Sequence, residues 1–118
     1  MSSSNYDLYK LAEKYDLLPI NIIRLDKYKE SDIPSIINMG LLQTGIFHWV
    51  AVYGDYYFDS FGVAPTTEIK NKIYSDFDVQ SIRSGHCGEY CILWLYYMKK
   101  DGKPDNFYKL FENLNPIA

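Results

Sequence analysis

The stretch GIFHWVAVYGDYYFDSFG, residues 45–62, decides how this chain folds. Residues 45–54 make a strand candidate, rich in aromatic and β-branched side chains and bounded by glycine. Residues 56–62 make a second. Between them, Gly54–Asp55 is a short hairpin signal, and glycine before aspartate suits a type II′ turn better than type I′. The hairpin has a chemical consequence: it folds Asp59 back onto the strand that carries His48.

Upstream, residues 5–16 place Tyr6, Leu8, Tyr9, Leu11, Ala12 and Tyr15 near helical spacing, with serine or asparagine available as N-cap and Pro19 as a stop. Residues 20–25, INIIRL, predict a strand, and the polar, Pro34-containing residues 26–35 a loop or one short helical turn. Downstream, residues 63–76 read as a connection with one helix starting near Thr66 or Thr67. Residues 77–83, FDVQSIR, read as a third central strand. A helix is expected over 87–100, ending at a Gly102 cap with Pro104 beyond, and an amphipathic helix over 106–114. This order predicts an α+β fold, a mostly antiparallel or mixed sheet packed by helices. No repeat, low-complexity run or linker divides the chain, so its 118 residues are expected to form one domain, residues 1–118.

Composition narrows the function classes. A 47% hydrophobic and 17% aromatic chain builds a real core, and net charge −3 with scattered basic residues argues against nucleic-acid binding. The opening MSSSNYDLYK lacks the apolar centre of a signal peptide. The longest apolar run, CILWLYYM, is eight residues, against the roughly twenty that span a bilayer. The chain reads as soluble and intracellular, without a membrane partner. Cys87 and Cys91, four apart, make no disulfide framework and read as reduced thiols.

The chemistry gathers around SGHCGEYCILW, residues 84–94. Cys87 stands where a helix opens, and free N–H groups and the macrodipole there stabilise a thiolate. Gly88 removes a side chain where a substrate backbone must pass, while Cys91 falls on the apolar face with Ile92 and Leu95 and reads as core. A cysteine nucleophile needs an imidazole as base, and His48 supplies one. Taken alone, His48 also reads as a satisfied histidine on one strand face. His86, next to the thiol, reads as exposed or lining the cleft. Asp59 would accept the second imidazole N–H, and Gln80, with the Cys87 N–H, would hold an oxyanion. Singly, Asp59 is a strand-end turn former and Gln80 a polar strand residue; their joint occurrence is the signal.

In that order the motifs resemble those of the adenovirus-protease-like cysteine peptidases, of the same broad clan as the SUMO-specific proteases. GIFHWVAVY is similar to the family's Gly-x-x-His-Trp strand, which puts the catalytic histidine at His48. YFDSFG resembles its aromatic-acid-x-Phe-Gly motif, with the acid at Asp59. VQSIRSGHCGEYC resembles Val-Gln, six residues, then Cys-Gly-x-x-Cys, carrying the oxyanion glutamine onto Gln80 and the nucleophile onto Cys87. The opening LYKLAEKYDLLPINIIRLDKY is also similar, so the resemblance covers residues 6–98.

The resemblance implies a papain-like clan variant with the nucleophile at the N-terminus of a central helix. It implies an endopeptidase that cuts viral capsid or core precursors during particle maturation, near glycine, in a cleft flanked by Trp49, His86 and Gly88. The compact length fits virophages and transposon-like or large-DNA-virus elements, and places the protein in host cytoplasm, viral factory and virion interior. Asp59 stands where the adenovirus form has glutamate. No region equivalent to the activating-peptide site is detectable, and neither that peptide nor DNA is carried over as a cofactor; no metal is implied. Two alternatives stand beside this reading. One is a deubiquitinase or deSUMOylase using the same residues. The other is a zinc-binding or degenerate protein-binding domain using Cys87, Cys91, His48 and His86, whose spacing lacks the paired pattern of zinc modules.

Overall fold

The computed structural model describes residues 4–43, 45–79 and 86–112. It is an α+β domain: helix α1 (Asn5–Lys14), strands β1 (Asn21–Arg24), β2 (Ser35–Leu41), β3 (Phe47–Tyr53) and β4 (Tyr56–Asp59), then helices α2 (Cys87–Asp101) and α3 (Asp105–Glu112). The sheet order is β1-β2-β3-β4, with β1 parallel to β2 and the other pairs antiparallel.

Each strand's alternation feeds two apolar layers. On one face, Ile36, Trp49, Ala51 and Phe58 pack with Leu8 and Ala12 of α1, Cys91, Trp94, Leu95 and Met98 of α2, and Phe107 of α3. On the other, Ile37, Val50, Val52 and Tyr57 meet Ile69, with Leu25, Tyr28 and Met39 against them. Helices cover the first face. The second is covered by a single 3-10 turn, Leu25–Lys27, and by the long connection after β4. Ser4 starts α1 with a capping box: its hydroxyl accepts the Asp7 N–H, and the Asp7 carboxylate accepts the Ser4 N–H. Gly102, at φ 73°, closes α2 in the left-handed conformation as anticipated. Among the described residues, no helix is long and apolar enough to cross a membrane.

The β3–β4 hairpin turns at Gly54 and Asp55, with Gly54 at φ 58° and Asp55 outside the left-handed region, the combination a type II′ turn needs. Three expectations are corrected. Residues 36–41, unassigned by pattern, form most of β2, the strand between β1 and β3. The helix expected near Thr66 or Thr67 does not form. One turn, closed by the Ile69 N–H on the Thr66 carbonyl at 3.0 Å, precedes a positive φ of 59° at Asn71, which breaks the right-handed path. The segment instead caps the second face. Ile69 is 1% exposed, Lys72 donates to the Gly54 carbonyl at 2.7 Å, and Ile73 brackets the edge of β4 through the Tyr57 N–H and Asp55 carbonyl.

The third correction concerns the strand expected over 77–83. Phe77, Asp78 and Val79 belong to no strand, and residues 80–83 lie outside the described residues. Val79 donates one backbone bond, 2.8 Å, to the Ser60 carbonyl just past the end of β4. The chain there passes over the Gly62 turn, so closely that a Cβ on Gly62 would collide with the Asp76 carbonyl. With φ 75°, that position requires glycine twice over.

Candidate active site

Strand alternation and register set the first pair. His48 and Val50 share a face of β3, and Val50 lies opposite Asp59 on β4, so Asp59 is the diagonal neighbour of His48. The pair sits at the end of the sheet, where β4 stops and β3 continues. There the first residue of α2 arrives. The result is a continuous line of contacts: Asp59 Oδ2 to His48 Nε2 at 3.0 Å, and His48 Nδ1 to Cys87 Sγ at 3.3 Å. Three residues spread over 40 positions of chain meet in one hydrogen-bonded relay.

Asp59 is itself fixed. Its second oxygen, Oδ1, accepts the Phe61 N–H at 2.8 Å, and its backbone carbonyl accepts the Gly62 N–H at 2.9 Å, closing a tight turn. That leaves Oδ2 for the imidazole. A carboxylate only accepts, so the Nε2 atom carries a proton toward Asp59 and Nδ1 is the atom that exchanges a proton with sulfur. The Phe61 ring lies flat against the His48 ring, centroids 5.0 Å apart and planes 19° from parallel.

The relay is shielded from water, with His48 8%, Asp59 5% and Cys87 1% exposed. Burial alone lowers the imidazole pKa. The bonds from Asp59 and Cys87 and the charges behind them outweigh it and raise the pKa to about 9, so the ring is cationic at neutral pH. Cys91 differs from Cys87 in kind. Fully buried, with its thiol pKa pushed up by burial first and then by the nearby Cys87 and Asp59, it is a core side chain.

The remaining expected residues divide. His86 precedes α2 without capping it by its side chain; it is exposed, and its Nδ1 meets Glu89 Oε2 at 2.5 Å. Trp49 does not flank an open cleft: it is 1% exposed in the helical-side core, because it alternates with His48 along β3. Gly88 is likewise buried in the first turn of α2, and Cys87 is a closed rather than an open thiol. Gln80 lies outside the described residues. Among the described residues, no three His, Cys, Asp or Glu groups are placed to hold a metal ion, and the four groups of the zinc reading do not converge. Phe61 was given no role by sequence reasoning. The available signal was an aromatic residue two positions after the acid and directly before a glycine.

No protein-family model, curated protein or solved structure matches this chain.

Proposed function

We propose that this protein is a cysteine endopeptidase of the papain-like clan, working through an acyl-enzyme on Cys87. The observation that carries the reading is the sulfur–imidazole–carboxylate line of 3.3 and 3.0 Å, with the sulfur at a helix N-terminus. That arrangement suits nucleophilic acyl transfer. The thiolate attacks a peptide carbonyl, and the His48 imidazolium then gives its Nδ1 proton to the departing amine. The neutral ring next takes a proton from the water that hydrolyses the thioester. Asp59 keeps Nε2 engaged throughout, so the ring cannot turn its basic edge away. The Cys87 backbone N–H, unsatisfied within the helix, is one oxyanion donor; Gln80 is the proposed second. By the family resemblance, the substrates are viral capsid or core precursors cut near glycine, in the host cytoplasm, viral factory or virion.

A sulfur 1% exposed must be uncovered before a carbonyl reaches it. Reactivity should therefore depend on reagent size as well as on pH. With iodoacetamide and mass-spectrometric mapping, Cys87 should be modified in preference to Cys91 below neutral pH, and much faster than by a bulky maleimide. His48→Ala should remove the low-pH reactivity. Equal labelling of both thiols, and only at high pH, contradicts the assignment.

A further inference from the structure

The turn after β4 does more than end a strand. Asp59, Ser60, Phe61 and Gly62 form a loop closed by the Gly62 N–H on the Asp59 carbonyl, and it brings the Phe61 ring back over His48. Two independent contacts leave this one residue. Its backbone N–H anchors Asp59 Oδ1 at 2.8 Å, and its side chain stacks on the imidazole at 5.0 Å. The turn is held in turn by its surroundings. Gly62 adopts φ 75° against the Asp76 carbonyl, and Ser60 accepts the Val79 N–H.

An imidazole bonded through both nitrogens is fixed in the plane of the ring and free to tilt out of it. The aromatic face removes that freedom. A near-parallel ring resists tilting of Nδ1 off the line to sulfur and keeps water from the face of the cation. We infer that Phe61 is the positioning residue of the relay, holding the His48 ring in the plane that joins Asp59 Oδ2 to Cys87 Sγ. This role rests on the cysteine-peptidase reading and adds to it a residue that never touches the reacting atoms.

The alternative to stacking is simple volume filling, and leucine separates the two. Phe61→Leu keeps the backbone N–H to Asp59 and most of the apolar bulk but removes the flat face; Phe61→Tyr restores the face. The readout is the rate of Cys87 alkylation by iodoacetamide across pH 6–8, beside thermal melts and compared with His48→Ala. An aromatic contact of this kind is worth roughly a two- to tenfold change in rate. Phe61→Leu should lose that factor below neutral pH, with its profile moving toward that of His48→Ala and its melting temperature within a few degrees of wild type. Phe61→Tyr should recover the wild-type profile. A wild-type rate in Phe61→Leu, with His48→Ala slowed, overturns the stacking role and leaves the peptidase reading intact. A wild-type rate in His48→Ala overturns both.

Discussion

Replacing Cys87 with alanine is expected to abolish peptide cleavage while leaving the fold in place. The sulfur is the only group in the relay able to form the covalent bond to substrate, so its loss is not graded. Removing the nucleophile of such a unit typically costs on the order of 10⁴-fold or more, the remainder being water chemistry in a bound geometry. The structural cost is small by comparison. The substitution deletes one sulfur atom from a buried helix start, worth about 1 kcal/mol. Cys91→Ala is the matched control. It deletes the same atom one helical turn away, from a side chain 0% exposed, and should lower stability while cleavage persists. Internally quenched glycine-containing peptides report the rate, and thermal melts the fold. A Cys87→Ala protein that still cuts refutes the nucleophile.

The second large effect belongs to Asp59, and two substitutions separate what it does. In Asp59→Ala the ring loses its anchor at Nε2, and cleavage should fall on the order of 10²-fold or more. In Asp59→Asn the side chain keeps its shape but offers one accepting oxygen to two donors, the Phe61 N–H and Nε2, so the anchor weakens and the rate falls, though less than in Asp59→Ala. Charge does not survive. The Asp59 carboxylate is a main reason that the His48 pKa stands at about 9 despite burial. The ring acts as general acid only while protonated, so wild-type cleavage should decline as pH rises through about 9. Without the carboxylate the imidazolium is less favoured, and the alkaline limb in Asp59→Asn should move to lower pH. An unmoved limb would mean that the ring does not take its proton affinity from Asp59.

The fold is legible in the sequence where an element is polar on one side or sharply bounded. Helices α1 and α3 each have a polar side, and the 45–62 hairpin, buried on both faces, is marked by its glycine bounds and its aromatic and β-branched content, although the last two residues expected of α3 lie outside the described residues. What escaped reading has a physical cause in each case. Strand β2 has apolar residues on both faces: Ile36 enters the helical-side layer and Ile37 the opposite one, so no alternation marks it. Residues 63–76 have helix-like spacing, yet the fold takes from them a single buried anchor, Ile69, and three bonds to the hairpin. Long-range contact there outweighs local preference.

The site divides in the same way. His48, Asp59 and Cys87 were identifiable because each is a reactive type at a recognisable address, and the hairpin register and helix start bring them together. The neighbouring aromatic residues were legible as positions but not in what their rings touch. Trp49 is sent inward by strand alternation, and the stacking of Phe61 depends on a turn whose shape no spacing rule describes.

The central claim is that sulfur, imidazole and carboxylate share one proton relay, and the titration of His48 tests it directly. Nitrogen-15 NMR of the histidine rings, followed from pH 5 to 11, reads the His48 midpoint without any substrate. The account predicts a midpoint near 9, falling in Cys87→Ala and again in Asp59→Ala. A midpoint near 6.5 that neither substitution moves would contradict it.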